Sequence, residues 1–118
     1  MSQYLILLYE DESFYAQATP DVLDGVMQAH NRFAEQVTGL GAKILAGNAL
    51  QPTSTATSLR RNAAGVVEVT DGPFVETKEA LGGFYLLEAD DLDAAVGLAK
   101  QVPAPFGGLE VRPVMVFD

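Results

Sequence analysis

The chain opens on an uninterrupted apolar run, Tyr4-Leu5-Ile6-Leu7-Leu8-Tyr9, closed by the acidic Glu10-Asp11-Glu12. A run with aromatic ends and no polar alternation predicts a strand buried on both faces, in the interior of a sheet. Thr19-Pro20-Asp21 then supplies an N-cap, a proline suited to the first turn and an acid for the positive helix end. From there Val22, Val26, Met27, His30, Phe33, Val37 and Leu40 recur at spacings of three, four and one. That pattern predicts an amphipathic helix ended by Gly39 to Gly41, its apolar stripe laid on a sheet face.

Lys43 to Gly47 reads as the next strand, and the threonine-rich Thr53 to Arg60 as a more polar one. Asn62-Ala63-Ala64-Gly65 is turn chemistry, and Val66 to Thr70 returns, so this pair predicts a hairpin ending at Asp71. Gly83 to Glu88 is a further strand. Asp90 or Asp91 caps a short helix with Leu92, Ala95, Val96 and Ala99 on one face, and Lys100 sits near its negative end. After the Pro103 to Gly108 loop, Leu109 to Phe117 closes the chain as a strand whose Pro113 marks it as an edge. Strand, helix, strand thus occurs twice. The predicted class is α+β: a ferredoxin-like sandwich of the dimeric α/β-barrel type, with an inserted β-hairpin and helices on one face of an antiparallel sheet. The other face needs a cover, and a second copy is the simplest one, so a homodimer is expected. A polar open face on a monomer is the alternative.

The 118 residues, 48% of them apolar, fit one domain spanning 1–118. Sixteen acidic against seven basic residues give a net charge of −9, which opposes direct binding to nucleic acid. With no cysteine and one histidine, thiolate and imidazole metal sites are not expected, and no metal or cofactor is assigned. The N-terminus lacks a signal-peptide pattern, and no apolar run approaches the roughly 20 residues of a membrane span. A cytoplasmic protein that does not bind membranes is the expectation.

The most informative stretch is Asp71-Gly72-Pro73-Phe74, continued as Val75-Glu76-Thr77-Lys78-Glu79-Ala80-Leu81-Gly82-Gly83-Phe84-Tyr85, which packs turn formers, charges and paired glycines between two strands. These runs, together with Glu110-Val111-Arg112-Pro113, Tyr9, the long helix leading to Gly41 and Gly47-Asn48-Ala49-Leu50-Gln51-Pro52, resemble the YCII-related domains. Within them they are similar to the DGPF-motif branch. The resemblance covers nearly the whole chain. It implies a dimeric ferredoxin-like fold and an uncharacterised function. Relatives in the wider group include small enzymes of aromatic or lactone chemistry, and DGPF members often accompany extracytoplasmic-function sigma factors.

His30 is the one side chain whose ordinary pKa lies near neutrality, and it falls on the predicted helix stripe. There it is either a general acid or base beside a cavity, or a satisfied core histidine. In the wider YCII group a histidine of this helix is half of a proposed His–Asp pair, and His30 matches it in place. The aspartate-proline dipeptide of many YCII domains reads Val102-Pro103 here, so Asp71 becomes the candidate acid, provided its loop folds over the same face. Alternatively Asp71 is simply a turn residue bonding nearby backbone. Arg112, Glu76, Lys78 and Glu79 form either a ligand site or an ion pair fixing the loop to the last strand. Tyr9, Tyr85 and Phe74 line a pocket in one account and fill the core in the other. Two function classes follow: a small cofactor-independent enzyme using His30 and a carboxylate for proton transfer, or a non-catalytic module that binds a small molecule or a regulatory partner.

Overall fold

A computed structural model describes residues 1–117 of the chain. β1 (Ser2–Glu10) leads to a short helix α1 (Glu12–Gln17), the long helix α2 (Pro20–Gly39) and β2 (Lys43–Ala49). A single 3-10 turn (Thr53–Thr55) opens a ribbon of β3 (Thr57–Arg61) and β4 (Val67–Asp71). The chain returns through β5 (Ala80–Ala89), α3 (Leu92–Ala99) and β6 (Gly107–Pro113). β2, β5, β1 and β6 lie side by side in that order, and every neighbouring pair is antiparallel. Two strand-helix-strand units, β1-α2-β2 and β5-α3-β6, therefore interlock in the ferredoxin-like manner, with the ribbon as a separate sheet inserted between them.

Local chemistry sets the helix boundaries. The Thr19 hydroxyl accepts from the Val22 N–H, Pro20 occupies the first turn, and Gly41 ends the helix region at a φ of 76°. Asp91 accepts from the Ala94 N–H at 2.8 Å to start α3. Asp11 does the same for α1 through Ser13, so the acidic run after β1 is a cap and a helical turn rather than a loop. The Ser13 hydrogen bonds, hydroxyl first and then backbone, hold the Asp11 carboxyl below its ordinary pKa, against slight desolvation and with the smallest contribution from Lys78.

The core lies between the helices and one sheet face. Tyr4, Ile6 and Leu8 of β1 point there, against Phe33 and Val37 of α2, Leu87 of β5 and Leu98 of α3. α2 covers β2, while α3 covers β5, β6 and β1. The opposite face is out of phase: Leu5 and Leu7 pair with Leu86 and Phe84 across β1 and β5, and all four are half-buried. β1 is thus an interior strand, as its pattern predicts, but only one of its faces is covered.

Several expected details change. Val22, Met27 and Leu40 are exposed, so the inward stripe of α2 narrows to the half-buried Val26 and His30 and the buried Phe33 and Val37. In α3 Leu98 is buried in place of Leu92 and Val96, because the inward stripe runs through Ala95, Leu98, Ala99 and Val102 at three-four spacing. Thr53 to Thr55 is helical rather than extended, and β6 stops at Pro113, the edge residue, leaving 114–117 outside any strand. Among the described residues no helix is long and apolar enough to cross a membrane.

Candidate functional site

Period-two alternation places Glu10 on the same face of β1 as Tyr4, Ile6 and Leu8, where it is 6% exposed. A carboxylate in that position requires donors. Its Oε1 accepts from the Tyr15 hydroxyl at 2.8 Å and its Oε2 from the Phe106 N–H at 3.1 Å, which ties β1 to α1 and to the loop before β6. The Tyr15 ring meets Phe106 edge-on with centroids 4.9 Å apart, and Phe14 stacks on the same ring at 5.6 Å. Burial raises the Tyr15 pKa far above its ordinary value, and the bond to Glu10 adds to the shift, so this phenol stays protonated as a donor.

His30 projects from α2 toward β5. Its Nδ1 lies 2.6 Å from the Tyr85 hydroxyl, and the two rings are 5.8 Å apart. Tyr85 shares the core face because it sits opposite Ile6, and Phe33 packs on its ring at 5.0 Å. Gly47, opposite Tyr85 on β2, gives that ring its place: a Cβ there would lie 2.8 Å from Cδ1. Burial lowers the His30 pKa below its ordinary value, and the negative charge of Glu10 works in the opposite direction. Burial raises that of Tyr85. Both rings are accordingly neutral at pH 7, and Nε2 of His30 has no protein hydrogen-bond partner among the described residues.

This arrangement suits proton transfer at Nε2. When Nε2 takes a proton, Nδ1–H donates to the Tyr85 oxygen and the Glu10 carboxylate attracts the new positive charge. One helical turn before His30, α2 forms an open, mainly apolar cleft of about 410 Å³ through Val22, Val26 and Ala29 against Pro103 to Pro105. The opposite wall is the loop that Glu10 anchors through Phe106.

The other expected site residues lie elsewhere. Asp71 ends β4, exposed, paired with Thr57 in the ribbon and without a hydrogen bond to His30. Gly72 beside it has a φ of 101°, its N–H bonded to Ala56 and its carbonyl to the Ser58 hydroxyl, so Asp71-Gly72 turns the chain as its composition predicts. Phe74 is exposed with the Arg60 guanidinium 4.8 Å above its ring. Tyr9, one residue out of phase with Glu10, belongs to the open sheet face and not to the His30 side. Arg112 pairs with Glu110 two residues away on its own strand at 3.9 Å, both largely exposed. The expected bridge from Arg112 to the loop carboxylates does not form, because β6 is an edge strand separated from β5 by β1. Glu76 lines a second cleft with the turn at Thr53, and Lys78 is exposed near Asp11.

Sequence reasoning passed over Glu10 and Tyr15 and held Tyr85 in reserve. The available signal was the alternation itself: counted in steps of two from Tyr4, Glu10 follows Ile6 and Leu8 onto the core side. Among the described residues, no three side chains of the His, Cys, Asp and Glu types converge to hold a metal ion.

The model of the YCII-related domain family matches residues 2–118. An uncharacterised protein of Rhizobium meliloti (strain 1021) is 35% identical over 117 residues, an alignment that covers 97% of this chain and 93% of that one. The chain belongs to the YCII-related domain family.

Proposed function

We propose that this YCII-related protein is a cofactor-independent enzyme that moves a proton on a small organic substrate, with Nε2 of His30 as the acid and base. The observation that carries this reading is the 2.6 Å contact between Nδ1 and the Tyr85 hydroxyl, which fixes the imidazole while leaving its other nitrogen free. Glu10 takes the part of the partner carboxylate: its charge acts on His30, and it is held in the core by two donors. The apolar cleft beside α2 receives the substrate body. Asp71 keeps its turn role in this reading.

A panel of weak carbon acids in deuterated buffer tests the proposal by solvent-isotope incorporation. Wild-type protein should accelerate exchange of at least one member, with a rate that falls at acid pH as His30 is protonated. His30→Gln should abolish the acceleration, and Tyr85→Phe should lower it about tenfold or more. Exchange retained in His30→Gln, or no acceleration of any member, sinks the idea.

We further infer that two copies pair through the open sheet face. The reading rests on Leu5, Leu7, Phe84 and Leu86, a half-buried apolar row with no element over it, and on the DGPF-branch run at Asp71 to Phe74. Light scattering with size exclusion should give twice the mass of one chain; a monomer at micromolar concentration refutes it. The same apolar surface favours the second class of function, a dimeric ligand- or partner-binding module, if the isotope assay is blank throughout.

A further inference from the structure

The loop that follows the ribbon lines a second cleft, of about 380 Å³, beside the 3-10 turn that Glu12 of α1 holds. Thr53 and Ser54 form one wall, Pro73 and Val75 the apolar floor, and Glu76 with Thr77 the other wall. Thr53 is fixed by Glu12, whose two carboxylate oxygens accept from its N–H at 2.7 Å and its hydroxyl at 2.8 Å. The Thr77 hydroxyl donates to the Glu79 carbonyl at 2.6 Å. A carboxylate and a carbonyl cannot donate, so in both cases the threonine proton is committed inside the protein. What Thr53 and Thr77 offer the cleft is therefore lone pairs. Glu76 offers more of them, and it forms no ion pair among the described residues.

The Ser54 hydroxyl can turn either way, so the Glu76 carboxylate, the one charged side chain in the lining, sets the preference, and in a chain of net charge −9 it favours a cationic donor. We propose that this cleft binds a small organic cation through its ammonium group, with Glu76 as the counter-charge, Thr53 and Thr77 as acceptors, and Pro73 and Val75 against the alkyl part. The site is separate from His30, and the proposal does not depend on proton transfer there.

Titration of uniformly ¹⁵N-labelled protein with n-butylammonium chloride at low ionic strength tests it, with sodium butyrate as the anion of matched size. The expected result is saturable shifts confined to the amides of Thr53, Ser54, Gly72 and Thr77, and none there with butyrate. Glu76→Gln should weaken butylammonium binding about tenfold or more, as loss of a charge-assisted hydrogen bond does. Thr77→Val, which removes an acceptor and leaves every charge in place, should weaken it about threefold and keeps the test open should the first variant lose its native spectrum. Glu110→Gln, an exposed acid on β6, should leave it unchanged. Unsaturable shifts scattered over acidic surface, equal affinity in Glu76→Gln and Thr77→Val, or binding of butyrate to the same amides would overturn the assignment.

Discussion

The four-stranded sheet and the two-stranded ribbon are both antiparallel, yet they are stabilised by different means. In the sheet, each strand has a face against α2 or α3, and Phe33, Ile6, Leu87 and Val37 are completely enclosed. In the ribbon no residue is buried: Leu59, Val67 and Val69 share one face and all are exposed. Local bonds hold it instead. The Asn62 carboxamide accepts from the Ala64 and Val66 N–H groups, Arg61 donates to the Gly65 carbonyl, and Arg60 lies over Phe74. An isolated hairpin of this kind is marginal in water. Strand pairing alone therefore says little about stability; the covered face decides it.

That contrast can be broken most severely from the core side. Phe33→Ala should cost about 3–5 kcal/mol in urea unfolding, since it empties the contact between α2 and Tyr85. A loss below about 1 kcal/mol would mean that α2 is not clamped to the sheet. Glu10→Ala comes next, at about 1–3 kcal/mol, because the Tyr15 hydroxyl and the Phe106 N–H lose their acceptor.

Acidification gives a smaller effect of defined sign. The folded-state pKa of His30 lies below its unfolded value, so the unfolded chain binds the proton first. The contribution of His30 to stability is complete above its ordinary pKa and declines as pH falls through that value toward the folded one. Wild type should lose more in melting temperature over this window than His30→Gln, and parallel curves would show that the imidazole is not desolvated. The smallest effect belongs to the ribbon. Leu59→Ala should stay within about 0.5 kcal/mol, and ribbon amides should exchange with deuterium well before those of β1 and β5. Slow ribbon exchange would show that another surface covers Leu59 and Val69.

The same distinction explains what was legible in the sequence. Elements whose residues face a core left a clear trace: β1, the capped α2, β5 and α3 all occur where periodicity and capping put them. α1 left none, because six residues with no buried side chain give no period to read. Glu10 was hidden by the strength of its neighbours. An unbroken apolar run suggested two buried faces, which erased the alternation that assigns its direction. His30 was legible as a residue, but its partner was not. Pairing with Tyr85 across 55 positions depends on the register of β1 with β5 and on Gly47 in β2, and neither is encoded locally. Asp71 shows the converse: the turn at Gly72 beside it was readable, but among the described residues its side chain makes no bond to nearby backbone, and its separation from His30 is a matter of topology.

The placement of β1 has a consequence for how the chain is made. Within this domain β1 is made before the two strands it bonds to, β5 and β6, and Glu10 accepts from a backbone amide 96 positions later. During translation its apolar row has no strand to join, and the central pairing forms only after the C-terminal third has emerged. Folding of this domain thus waits for its own C-terminal third, with loop closure from β1 to β5 and β6 as the slow step and Tyr4 to Tyr9 as the segment a nascent-chain chaperone would find exposed.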